Sequence, residues 1–204
     1  PVRFRGEATL GADKVAVERM QAEFDRKSFD GDVSYIFASG NEPARFSAEL
    51  RADELDLDAW IETAGSLKAL PDVGQPHEVS LALSLKRLRF AGLDADGAKV
   101  QMTHKAGALS IDTLAIDDLA GLAIDGKGRI DTKAQRGSVT FNIAVRHADG
   151  LAAIARRAPA FLSEPLQRAA QAAAPGKLSG SLTVEPAGGA GNSRATISLA
   201  GPLG

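Results

Sequence analysis

The sequence predicts an α+β fold, mainly antiparallel β: an elongated, twisted sheet of two tandem repeats with helical inserts. Three observations carry this. Short segments of apolar–polar alternation recur along the chain, divided by glycine-rich breaks. Two stretches switch to helical spacing and run into prolines. One part of the chain can also be laid over another, element by element. We read residues 1–204 as one β-rich domain with internal repeats at approximately 14–90 and 109–200.

Val2–Leu10 alternates loosely, with Val2 and Phe4 set against Arg3 and Arg5, and reads as a strand ending at Gly11. Lys14–Asp25 has helix-compatible composition, but Val15 and Val17 share one side and Ala22 and Phe24 the other. That spacing is nearer two than 3.6, so a strand with a bulge is expected. In Phe29–Phe37, Val33, Tyr35 and Phe37 alternate with polar positions after Gly31. Ser39-Gly40-Asn41 is a turn cluster, and Ala44–Ala52 then alternates Phe46, Ala48 and Leu50 against charged and hydroxyl residues. The two strands fit an antiparallel hairpin.

The period then changes. Leu57, Trp60, Ile61, Ala64, Leu67 and Leu70 fall at helical spacing, with Asp56 or Asp58 to cap the start and Pro71 to stop it. Glu78–Phe90 is the strongest strand pattern: Val79, Leu81, Leu83 and Leu85 share one face. Its apolar parity flips to Leu88 and Phe90, which predicts a bulge or bend near Lys86-Arg87. Gly92–Thr103, Gly107–Asp117, Leu119–Asp131 and Gly137–Arg146 read as further strands of a meander. Asp149–Ala174 is helical again, split by Pro159 and Pro165 because proline inside a helix costs ~3 kcal/mol. Lys177–Glu185 and Arg194–Leu199 are strands around a glycine-rich loop.

The repeat aligns Phe24–Trp60 with Leu119–Ala155, so that Asp30-Gly31 meets Asp125-Gly126, Tyr35 meets Ile130 and Phe46 meets Phe141. Each copy then turns helical and leads into a long strand. The wording of the first copy resembles a known family. Gly31–Phe37, Pro43–Leu50 and the run Ala52-Asp53-Glu54-Leu55-Asp56-Leu57-Asp58-Ala59-Trp60 look like the repeat of bacterial AsmA-like proteins, relatives of the TamB group. The second copy matches less closely and lacks the Leu-Asp-Leu-Asp wording. The resemblance is specific at Ala52–Trp60 and loose elsewhere.

That resemblance implies a periplasmic segment of a protein anchored in the bacterial inner membrane through segments outside this fragment. It implies a part in outer-membrane biogenesis and in moving phospholipid between membranes along an apolar groove. The candidate groove residues are Val79, Leu81, Leu83 and Leu85, with phospholipid or another lipid as partner and envelope proteins as further partners. A structural or protein-interaction module of the cell envelope, with a filled core and no lipid, is the alternative. The chain starts at Pro1 and ends just after a strand pattern, which reads as a piece of something longer. It has no signal peptide and no run of ~18 apolar residues to span a membrane.

Composition narrows the chemistry. A net charge of −2 and 5% aromatic residues leave no basic face or stacking platform, so no nucleic acid is expected. With no cysteine, thiolate catalysis, disulfides and Cys-ligated zinc are excluded. His77, His104 and His147 sit in separate elements without metal-ligand spacing. Asp53, Glu54, Asp56 and Asp58 lack the calcium-loop pattern and suit a helix entry, where acids favour the dipole. Asp94-Ala95-Asp96-Gly97 reads as a turn. Asp112, Asp117, Asp118 and Asp125 fit outward strand positions, whereas a glycan hydrolase needs two carboxylates facing each other ~5–10 Å apart. Arg156, Arg157 and Arg168 beside Phe161, Leu162 and Leu166 make a basic amphipathic stretch that suits either a membrane surface or its own sheet. No metal, cofactor or catalytic residue is expected, and the chain is read as non-enzymatic.

Overall fold

Alternation of the kind found here has one outlet, a sheet with unlike faces. In the computed structural model, which describes residues 2–24, 27–56, 58, 78–90, 92–156, 176–186 and 193–201, twelve strands form one sheet. Strands β1 (Val2–Leu10), β2 (Lys14–Phe24), β3 (Lys27–Ile36) and β4 (Arg45–Asp56) make an antiparallel meander. β5 (Glu78–Phe90) lies parallel to β4, and every other strand pair is antiparallel. A parallel neighbour needs a crossover between the end of β4 and the start of β5. β6 (Leu93–Ala95) and β7 (Ala98–Lys105) both pair with β5. β8 (Ala108–Leu119), β9 (Leu122–Asp131) and β10 (Arg136–Val145) continue the meander. Helix α1 (Ala148–Ala155) follows, and β11 (Gly176–Pro186) and β12 (Ser193–Ala200) complete the sheet.

Two tight turns define the ends of β8. Ala106-Gly107 and Ala120-Gly121 both have positive φ, 52° and 85° in the first and 52° and 87° in the second. Two-residue hairpins with both central φ values positive match the right-handed twist of the flanking strands, and glycine takes the second position without steric cost. The second turn is clamped from outside. Asp118 accepts the Gly121 amide through one carboxylate oxygen and Arg146 Nη1 through the other, both at 2.7 Å. The Arg146 amide donates to the Gly121 carbonyl at 2.8 Å. Asp118→Ala should therefore lower stability by about 1 kcal/mol, read from the urea midpoint, and Asp118→Asn by less because its side-chain oxygen still accepts the Gly121 amide.

The bulge expected in β2 is present. Register shifts between Val17 and Met20, and Arg19 takes φ 50°. Its amide donates to Asp32 Oδ1 at 2.8 Å, and its guanidinium pairs with Glu7. The parity change expected near Lys86-Arg87 is also present, as a bend rather than a bulge. β5 keeps unbroken register with β4, from Ala52↔Leu85 to Glu54↔Arg87. Both strands change parity together, so that Leu85 and Leu88 are buried on the same side. The neighbouring strand breaks opposite, at Asp96-Gly97, which divides the expected single strand Gly92–Thr103 into β6 and β7. A β-carbon on Gly97 would displace the Asp117 carboxylate that now lies over it. The bend thus crosses several strands at one level.

The two expected repeats do not come out alike. β4 is followed by a parallel strand, whereas β10 is followed by an antiparallel one. Phe46 faces Tyr35 across the hairpin, but Phe141, its counterpart in the alignment, faces Gly126. The shared Gly-led wording reflects two hairpins built by the same alternation, with different turn lengths and registers. Of the expected helical inserts, α1 covers the start of the second. The helix expected from Leu57 to Leu70 and the segment with Pro159 and Pro165 lie outside the described residues, Asp58 apart.

Most of the buried apolar residues fall into two clusters, with Ala16, Ala44, Ala48 and Val139 buried outside them. One cluster joins Ala52, Leu85, Leu88, Ala95, Ala98 and Leu119. A second joins Leu122, Ile143 and Val145 to Leu151 and Ala155 of α1. Ile154 of α1 touches both clusters. α1 is short and owes its place to this packing, since eight residues alone are too few for a stable helix in water.

Candidate functional site: the apolar face of the sheet

Cross-strand partners share a face, so the register reads out the surface directly. One row runs from Ala8 through Val17, Val33 and Ala48 to Leu81. It continues through Met102, Ile111, Gly128 and Val139 to Leu182 and Ile197. Every member is apolar or glycine. The rows two residues to either side have the same character, His104 and the Tyr35 hydroxyl apart. One holds Leu50, Leu83, Val100, Leu114 and Phe141, and the other holds Tyr35, Phe46, Val79, His104 and Leu109. A fourth row, with Phe29, Leu85, Ile116, Ile124 and Ile143, leads into the buried clusters. The strand direction of these four rows spans six residues, about 20 Å at ~3.3 Å per residue.

Glycine shapes this face. Gly31 takes φ +151° where β3 passes β4, and a β-carbon there would overlap the Glu49 carbonyl oxygen. On β11, Gly180 leaves room for the Phe141 ring and the Leu199 side chain, both of which a β-carbon would strike.

The opposite face is polar. Ser47, Ser80, Thr103 and Ser110 stand in one row, and Glu49, Arg51 and Asp53 follow along β4. Its ion pairs are exposed: Arg51–Glu49 at 2.8 Å and Lys86–Asp53 at 2.6 Å. The hydrogen bond and charge of Lys86 hold the Asp53 carboxyl below its usual range, and Asp53 in turn raises the Lys86 ammonium. The sign follows from linkage: a lowered carboxyl contributes above its unfolded value and loses that contribution as pH falls through the folded one. Both groups are solvated, so Lys86→Met should leave the unfolding midpoint at neutral pH nearly unchanged. Glu78, less exposed, is bracketed by Lys105 at 3.0 Å and Arg45 at 3.5 Å.

The candidate groove residues all lie on the apolar face, but in two settings. Leu85 is buried in the cluster beneath the bend. Val79 and Leu81 are half-buried, and Leu83 is half-buried against that cluster. Along β5 the face therefore grades from closed at Leu85 to accessible at Val79. Several accessible residues of this face escaped the sequence reading as one surface: Tyr35, Met102, His104 and Ile111 come together only through register.

The polar candidates disperse. Asp112 and Asp125 are exposed on β8 and β9, Asp117 packs over Gly97, and Asp118 pairs with Arg146. Asp53 and Glu54 pair with Lys86 and Arg87, and Asp58 Oδ2 accepts the Gly92 amide at 2.8 Å. Asp96 lies at the β6–β7 break, where its amide donates to the Asp118 carbonyl. His147 lies against Gly121, His104 stands on the apolar face, and His77 lies outside the described residues. Among the described residues, no three His, Asp or Glu side chains gather to hold a metal ion, and no helix is long and apolar enough to cross a membrane.

Fold and surface together define a mainly antiparallel β-sheet protein with one apolar and one polar face. No family model, curated protein or solved structure matches it.

Proposed function

We propose that this chain is a non-enzymatic, periplasmic segment of an inner-membrane-anchored AsmA-like protein, and that its apolar face carries lipid acyl chains during phospholipid transport and outer-membrane biogenesis. The observation that supports the reading most is the continuity of that face. Successive rows across the sheet present apolar side chains or glycine, His104 apart, and among the described residues α1 packs at one end. A sheet whose purpose is a filled core is covered by its own elements. Over three rows most described side chains of this face are only partly buried, Ala48 and Val139 apart, which offers acyl chains apolar contact.

Native mass spectrometry of the purified chain tests this. Adducts of phospholipid mass are expected, and Leu81→Glu, which places a charge in the centre of the face, should reduce them at least tenfold, since a carboxylate resists an apolar contact. Absence of any lipid adduct, or adducts indifferent to Leu81→Glu, contradicts the reading.

An interaction module is the second reading, and β1 favours it. Phe4 and Leu10 are 61% and 80% exposed on a strand with one open edge. Such an edge invites strand addition by an envelope protein. A filled apolar face with a protein bound along β1 would put this reading first.

A further inference from the structure

The apolar face has unlike ends. At one end the strands bend and close over Leu85, Leu88, Ala98 and Leu119, with Ile154 of α1 packed against them. At the other end stands the row of Tyr35 and His104. His104 is half-buried between Val79 on β5 and Leu109 on β8. The adjoining turns are locked together there: the Thr132 amide and hydroxyl both donate to the Gly107 carbonyl at 2.7 Å, and the Lys133 stem lies against Gly107. Throughout the four rows, Tyr35 and His104 are the only described side chains with a strong hydrogen-bond donor. The backbone amides between them are used by the ladders.

We propose that a phospholipid lies on this face in one orientation, with its chain ends towards α1 and its phosphate at His104. The proposal rests on the acyl-carrying reading above and deepens it. A phosphodiester leaving water must recover hydrogen bonds, whereas methyl termini need only dry contact. Only one end of the face meets each need. The lengths agree: about 20 Å separates the His104 row from the Leu85 row, and one bilayer leaflet with its headgroup region is about 20 Å deep. The imidazole donates to a phosphate oxygen.

Two photoreactive phospholipids test this on the full 204-residue chain. One carries a diazirine on its headgroup and the other carries it at the end of an acyl chain. Headgroup label is expected on residues 100–109, and chain-end label on residues 119–127 and 147–155. Both probes labelling both ends alike would overturn the orientation while leaving carriage intact. No label on the apolar face with either probe would remove carriage itself. His104→Leu keeps an apolar side chain between Val79 and Leu109, so the sheet remains folded. It should weaken binding of phosphatidylglycerol about tenfold, the scale of a hydrogen bond to a charged group, and leave diacylglycerol, which lacks the phosphate, unchanged. Equal loss for both lipids would show that His104 only packs, and would overturn its role.

Discussion

Truncating Leu122 to alanine is expected to destabilise the chain by about 3 kcal/mol, with Leu151→Ala close behind. Both side chains are fully buried, at 0% exposure, and they meet in the cluster that fastens α1 to the sheet. The environment is rigid on the sheet side, because Leu122 begins β9 immediately after the clamped Ala120-Gly121 turn and pairs with both Leu119 and Val145. A cavity there cannot collapse without moving a ladder, so little of the cost is recovered by relaxation. At Leu151 the helix can shift to refill the space, and the cost should be smaller. Urea unfolding of the two variants gives the order. A larger loss at Leu151 than at Leu122 would mean that α1, not the sheet, is the rigid partner.

Gly31→Val should cost more than about 3 kcal/mol and can abolish folding. Two penalties add at this position: a φ of +151° that side-chain-bearing residues avoid, and a β-carbon placed on the Glu49 carbonyl oxygen of the neighbouring strand. Relief requires β3 and β4 to separate, which breaks the meander where the apolar rows begin. Gly40→Ala serves as the control. Gly40 has φ 56° but open space around its α-carbon, so only the backbone term applies, at about 1 kcal/mol. Equal losses at Gly31 and Gly40 would show that the close approach of β3 to β4 carries no weight.

Strand positions were legible because period-two alternation is a local property. Glu78–Phe90 and Val2–Leu10 match the structure at both ends, and the bulge in β2 showed as a slip of parity between Val17 and Ala22. Whatever depends on a partner strand was not legible. Parallel pairing of β4 with β5 is one such feature, since alternation within a strand is the same for a parallel and an antiparallel neighbour. The break at Asp96-Gly97 lies inside an acceptable strand pattern and follows from the bend in β5 across the ladder. The repeat misled for the same reason: alignment matched Phe46 with Phe141, but register places them against Tyr35 and Gly126.

The apolar face was legible strand by strand and not as a surface. Val79, Leu81, Leu83 and Leu85 stood out because they alternate within one segment. Their setting, closed at Leu85 and accessible at Val79, comes from the bend and from α1. In the sequence His104 showed only as one of three histidines without metal-ligand spacing. Only the pairing with Val79 and Leu109 places it among apolar side chains.

Site-specific photocrosslinking in the cell envelope tests the central claim most directly, with a photoreactive residue placed at Leu81 in one variant and at its neighbour Ser80 in another. The two positions are adjacent in sequence and lie on opposite faces. Lipid carriage predicts phospholipid adducts at position 81 and few or none at 80. Equal labelling at both positions, or protein adducts alone at 81, would contradict it and make this sheet an interaction surface.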